Sequence, residues 1–289
     1  TTAMGKYAAY NEIFGGEGGG LESIFELDFT NETNDGSKPN EMVAAFTYRT
    51  KVNDKEQAMG LFKPSETLYK GTDVFSDDKD SRIAESYFID DPANRGECYI
   101  HKFSMNSFGS VIINGVASGT PRSTKNDGNW IFYRTSDVML MKAEAMSQLY
   151  DDEEHLTEAF NLCRSIYKRS NPGAYQPGSK GDSLDITVFM SKEGIESLVM
   201  AERQREFVAE GKRWFDLVRY AQRRGGTQEM LALLTRKFAS DNKKAIEAKL
   251  STIQSLFSPI NINEIRNNGL LHQNEVWAVD ESTSKTDNL

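Results

Sequence analysis

The sequence predicts a mainly α-helical fold, a helical scaffold in its second half preceded by a first half of long loops and a few short strands. Three observations predict it. Apolar residues recur at helical spacing from about residue 133 onward. Before residue 130, turn residues are dense and helical periodicity is scarce. Apolar residues make up 38% and charged residues 27% of 289, a globular composition on a chain long enough to bury a core. No run of eighteen apolar residues occurs, so no segment reads as a membrane-spanning helix. Residues 1–10 lack a basic stretch followed by an apolar one and do not read as a signal peptide.

Taken in order, residues 4–14 read as the end of a helix closed by Gly15 and Gly16, and the glycine run to Gly20 as a turn. In 21–29, Phe25, Leu27 and Phe29 alternate with Glu26 and Asp28, the pattern of a half-buried strand. A polar loop covers 30–40, and 42–48 reads as a second short extended piece. Pro64 and Ser65 mark a helix start before Leu68 and Tyr69. Residues 99–103 suggest another strand. Residues 104–129 read as a long loop with 111–116 extended inside it; a loop of that length in a compact domain is functional or mobile.

In the second half, Val138, Met141, Ala145 and Leu149 follow helical spacing, with Asp137 in the first turn where the helix dipole favours it. Leu156, Ala159, Phe160, Cys163, Ile166 and Tyr167 mark the apolar face of a second helix. The short link 151–154 makes the two antiparallel neighbours, and 136–168 has the size of one tetratricopeptide-like hairpin. After a loop over 171–183, a third helix is predicted from Ser191 to Glu210, with Ile195, Leu198 and Val199 inward and Gly211 at its end. Trp214, Phe215, Leu217, Val218 and Tyr220 form a dense apolar cluster. Leu231, Leu234 and Phe238 mark another helix, and Ile246, Leu250, Ile253 and Leu256 one more. Residues 1–130 are thus read as a loop-rich binding face, 131–277 as the helical scaffold and 278–289 as a disordered tail.

The net charge is −9 and the pI about 5.1. Between Arg203 and Arg224 the basic residues are interleaved with Glu202, Glu206, Glu210 and Asp216, which argues for ion pairing and against a nucleic-acid surface. Cys98 and Cys163 form no C-x-x-C pair, so a zinc knuckle is excluded; a disulfide stays open, while Cys163 reads as a small buried hydrophobe. His101, His155 and His272 lack metal-ligand spacing, and no nucleophile motif or phosphate-cradling loop occurs. Asp77, Asp78 and Asp80, or Asp90, Asp91 and Asn94, could hold Ca²⁺ through oxygen ligands, but a solvated acidic loop is the favoured reading and no cofactor is expected.

Glu202, Glu206 and Glu210 stand at i, i+4 and i+8, near one face of a helix, where paired carboxylates could work on a glycosidic bond. A general acid needs a carboxyl kept neutral, and guanidinium groups such as Arg203, Arg205 and Arg213 push the other way. Glu202, Arg203, Glu206, Glu210, Arg213, Asp216 and Arg219 are therefore read as a structural ion-pair network and not as a catalytic centre.

The string from Arg134 to Ala145 resembles the R-x-x-D-hydrophobic-L-M-x-A-E-A helix of SusD/RagB proteins. The string from Glu202 to Arg219 resembles that family's E-R-x-x-E, E-G-x-R-W-F-D-L-x-R block, which is long, ordered and specific. Ser258 to Ile265, followed by Gln273 and Asn274, resembles the family's closing turn, and Ser23 to Leu27 with Asp80-Ser81-Arg82 match weaker signatures. Asn261 replaces the usual second Pro, and Gly269, Glu275 and Val276 stand where the family has Pro, Pro and Gly. The resemblance covers roughly residues 20 to 277. It implies the C-terminal portion of an outer-membrane, outward-facing lipoprotein whose N-terminal half, with its lipid anchor, lies upstream. It also implies non-catalytic capture of oligosaccharide and delivery to a SusC-like TonB-dependent transporter. A peptide ligand, a glycoside hydrolase using Glu202 or Glu206, and a helical interaction module at 136–168 are the alternatives.

A sugar ring stacks its apolar C–H face on a flat aromatic while polar side chains take its hydroxyls. Tyr48 and Tyr69, with Asn40 and Arg49 as polar neighbours, are the ligand-binding candidates on the loop-rich face. Trp130, Tyr133, Trp214 and Trp277 sit in or beside framework motifs and read as core.

Overall fold

The structure, a computed structural model, describes residues 10, 13–14, 20–29, 40–47, 49–52, 55–58, 62–65, 74–75, 80–89, 98–100, 102–103, 111–113, 116–118, 129–171 and 184–278. It divides into two compact units, Thr1–Arg213 and Trp214–Leu289, a division inside the stretch 131–277. The predicted helix start at 64–69 falls largely outside the described residues, as do most of 104–129 and the tail beyond 278.

In the first unit the chain runs through β1 (Ser23–Leu27), α1 (Glu41–Thr47), β2 (Arg49–Val52), β3 (Lys55–Ala58), α2 (Ser81–Ser86), β4 (Tyr87–Ile89), β5 (Cys98–Ile100), β6 (Val111–Ile113) and β7 (Val116–Ser118). It continues through β8 (Trp130–Arg134), α3 (Thr135–Leu149), α4 (Glu153–Ser170), α5 (Ile186–Phe189) and α6 (Lys192–Glu206). β1 and β8 pair antiparallel, as do β2 and β3. The remaining strands form one sheet in the order β5-β4-β7-β6, parallel only between β4 and β7.

α3, α4 and α6 pack together around the main core: Leu140, Ala143 and Met146 meet Leu156, Ala159, Phe160, Cys163 and Ile166, closed by Ile195, Leu198, Val199 and Phe207. The α4 face is the predicted one. Its start is fixed by Asp152, whose carboxylate accepts from the His155 N–H. The α3 face is not the predicted one. Val138 is 46% and Leu149 70% exposed, and Met141 is exposed beside them. Leu140, with no exposure, Ala143 and Met146 turn inward instead. Apolar residues lie on both sides of α3, so periodicity alone does not select a face; the buried side also carries the small Ser136 and Ser147, which permit close helix approach. α5 packs closely on α6: a Cβ at Gly194 would meet the Phe189 carbonyl oxygen at 2.8 Å.

Three further elements depart from the sequence reading. Residues 42–48 read as extended, yet 41–47 is helical, because the Asn40 side-chain oxygen accepts from the Met42 and Val43 N–H groups and caps the turn. In β1, Phe25 and Leu27 are exposed and Glu26 is half-buried, the reverse of the predicted alternation. Register shifts on both sides of Phe25 turn the strand, and Glu26 accepts from the Ser23 hydroxyl and the Asn129 amide. α6 stops at Glu206 and not at Glu210. The chain then turns through Ala209 (φ 63°) and Gly211 (φ 75°), left-handed backbone that ends the helix.

The second unit holds α7 (Arg213–Arg224, beginning on the last residue of the first), α8 (Gln228–Leu234), α9 (Ser240–Lys249) and α10 (Ile262–Asn267), with single 3₁₀ turns at 235–237, 254–256 and 275–277. The two helices predicted from Leu231 and Ile246 are each shorter than their periodicity: the first runs into the 3₁₀ turn at 235–237, and the second ends at Lys249, before the 3₁₀ turn at 254–256. Leu217 and Val218 are buried, whereas Phe215 is exposed. α7 ends at Gly225 (φ 68°), where Gly226 donates its N–H to the Ala221 carbonyl. The closing turn is tied by side chains: the Gln273 amide both accepts from the Ile260 N–H and donates to the Ile260 carbonyl, and Asn274 donates to the Ser258 carbonyl. Trp277, read as core, is 44% exposed with its indole N–H on the Phe257 carbonyl; Tyr133 is also exposed. No helix among the described residues is long and apolar enough to cross a membrane.

Candidate functional site

Among the described residues, the densest chemistry is a buried cluster of charges in the first unit. Five carboxylates, Glu22, Asp80, Glu202, Glu206 and Glu210, meet five cations, Arg82, Lys102, Arg134, Arg169 and Arg205. Helix geometry supplies two of them: Glu202 and Glu206 sit one turn apart on α6. Glu210 arrives from the left-handed turn after the helix.

Glu206 is the hub. It accepts from Arg134 at 2.7 Å, from Arg169 through both oxygens at 2.7 Å, from Arg82 at 3.2 Å and from the Tyr10 hydroxyl at 3.1 Å. Arg82, on α2, clamps Asp80 through two nitrogens and reaches Glu202 at 2.6 Å; Arg205 holds the other Glu202 oxygen at 2.6 Å. Arg134, at the end of β8, grips Glu210 at 3.0 and 2.9 Å. Lys102 gives its protons to Glu210 and to the carbonyls of Glu206 and Val208. Aromatic faces complete the cations' surroundings, with Lys102 4.7 Å from the Tyr10 ring centre and Arg134 4.8 Å from that of Phe207.

Burial alone would raise the Glu206 carboxyl, but Arg134, Arg169, Arg82 and Lys102 outweigh it and hold the group well below the usual carboxylate range. Burial likewise opposes and Arg134 and Lys102 reverse the shift at Glu210, which is also lowered. Burial pushes Lys102 down to about 8 against the pull of Glu210. These are charged groups locked in place by one another. Neither Glu206 nor Glu210 has the raised pKa of a general acid.

The other residues read from the same segment fall into separate groups. Arg203 pairs with Asp137 at 2.8 Å, and Lys212 takes the second Asp137 oxygen at 2.6 Å. Arg213 donates to the Met200 carbonyl and the Gln204 amide oxygen. Asp216 and Arg219 pair with each other at 2.7 Å on α7. Arg134, Lys102, Arg169 and Glu22 escaped the sequence reading as partners. Arg134 opens the R-x-x-D string and so carried a signal, whereas Lys102 and Arg169 lie more than thirty residues from Glu206 with no motif to mark them.

Of the ligand candidates, Tyr48 and Tyr69 lie outside the described residues, and of Arg49 only the backbone in β2 is described. Asn40 is 1% exposed and its side-chain oxygen caps α1, a framework role the sequence reading did not assign to it. Among the Ca²⁺ candidates, Asp80 caps α2 and pairs with Arg82; Asp77, Asp78, Asp90, Asp91 and Asn94 lie outside the described residues. Neither Cys98 nor Cys163 is in a disulfide, both are buried, and burial raises the Cys163 thiol.

The helical core thus carries buried carboxylates between guanidinium groups that come from α2, β8 and α4. The sequence matches the SusD family over residues 21–277, and the chain belongs to that family. The SusD-like protein P38 of Formosa agariphila is 36% identical over 94 residues, 32% of this chain and 17% of that protein. The SusD-like protein P2 of the same organism is 22% identical over 211 residues, 68% of this chain and 39% of that protein. Two SusD-type structures from Bacteroides thetaiotaomicron superpose with TM-score 0.58. One is 20% identical, covering 94% of this chain and 50% of its own; the other is 22% identical, covering 93% and 51%. At that identity the likeness is one of fold. The chain spans about half the length of those solved structures and less of the curated relatives.

Proposed function

We propose that this chain serves non-catalytic nutrient capture at the bacterial cell surface, as part of a protein that binds oligosaccharide and delivers it to a SusC-like TonB-dependent transporter. The observation that carries the reading is the family match over residues 21–277, which includes the whole Arg/Glu segment. The geometry of that segment supports the non-catalytic half. Glu202, Glu206 and Glu210 are each committed to cations, and the held-down pKa of Glu206 and Glu210 is unsuited to proton donation at a glycosidic oxygen. The protein would face outward from the outer membrane on a lipid anchor attached upstream. Ligand contacts would come from loops of the first half, with Tyr48, Tyr69 and Arg49 the aromatic and polar candidates there.

Titration calorimetry of the full-length protein against a panel of oligosaccharides and a panel of peptides tests this. The expected result is saturable heat with at least one oligosaccharide and no release of reducing ends. Heat with peptides alone reassigns the ligand class, and binding to neither class contradicts the capture role.

A further inference from the structure

Glu85 lies on α2, one turn beyond Arg82, and is 2% exposed. No hydrogen bond or ion pair joins its carboxyl to any described residue. The charged groups that face it are Arg169 from α4, Glu206 from α6, and Arg82 and Asp80 from its own element. All four already belong to the cluster in which five carboxylates balance five cations. Of the strands packed against α2, β4 brings the buried Tyr87, whose phenol burial holds well above its ordinary pKa, and β7 carries no titratable residue. An ionised Glu85 would be a sixth carboxylate beside cations that are already taken.

We propose that Glu85 is a proton-operated latch, a buried neutral carboxyl that seats α2 against the ion-pair network and loosens that seat when it ionises. α2 carries Arg82, whose bonds to Glu202 and Glu206 fasten the α2–β4 segment to the helical scaffold. The latch therefore couples the attachment of the strand-bearing first half to pH, whatever ligand the loops take. Burial raises the Glu85 pKa to about 8, with Arg169 opposing. Because the folded pKa lies above the ordinary value of 4.5, the stabilisation is full below about pH 4.5 and is lost as pH rises toward 8. The lowered Lys102 acts in a separate window, between about 8 and 10.5, and Glu206 and Glu210 act below 4.5.

The test is urea unfolding of the wild-type protein and Glu85→Gln from about pH 5 to about pH 8. Glutamine keeps the shape of the neutral carboxyl and cannot ionise. The ratio of wild-type to variant unfolding constants should grow with pH, approaching tenfold per pH unit. A ratio that stays constant with pH overturns the proposal. If Glu85→Gln does not fold, carboxyl ¹³C NMR on wild-type protein labelled at glutamate decides instead. One glutamate titrating above pH 6 supports the latch, and none doing so overturns it.

Discussion

At Glu206 three guanidinium groups and a phenol converge on one buried carboxylate, and the cost of burying each charge is offset only because the others are present. The depressed pKa values of Glu206 and Glu210 fix the sign of a pH effect. Their stabilisation is present above the ordinary value of 4.5 and is lost as pH falls through the lowered folded values. Denaturant unfolding from about pH 6 to about pH 3 should show stability falling steeply in the acid limb; a flat limb would show that these carboxylates gain nothing from their partners. The carboxylate half of the cluster was legible in the sequence, since three glutamates at helical spacing among arginines suggest pairing. Of the cationic half only Arg205 was. Arg82, Lys102 and Arg169 come from three elements whose meeting depends on tertiary packing. Asn40 shows the limit from the other side, because an amide suited to a sugar hydroxyl is equally suited to a helix cap.

Among elements, α4 was fully legible because only one of its faces is apolar, whereas α3 carries apolar residues on both and was read one face out of phase. The structure turns this into a measurement. Leu140→Ala should destabilise by about 2–5 kcal/mol, as for a buried leucine, while Met141→Ala should cost less than about 1 kcal/mol. Chemical denaturation of the two variants compares them directly, and equal losses would restore the sequence-based phase. α1 and the end of α6 were misread for a shared reason. A side-chain cap at Asn40 and left-handed backbone at Ala209 are single-residue decisions that override segment-wide preference.

For the whole molecule, the helical class and the short strands at 23–27, 98–100 and 111–113 followed from periodicity and alternation. The division at Arg213 did not, because α7 continues the helical pattern without a break in composition. The α3–α4–α6 core and the strands pinned by Arg82, Lys102 and Arg134 make the cluster the joint of the first unit. A joint and a catalytic centre respond in opposite ways to losing a charge. Catalytic residues are often held at a cost to stability, so replacing one is neutral or stabilising. The unfolding free energy of Glu206→Gln in the full-length protein tests this most directly. A loss of about 3–5 kcal/mol is expected, the cost of leaving buried cations without their partner. Stability equal to or above that of the wild type would contradict it.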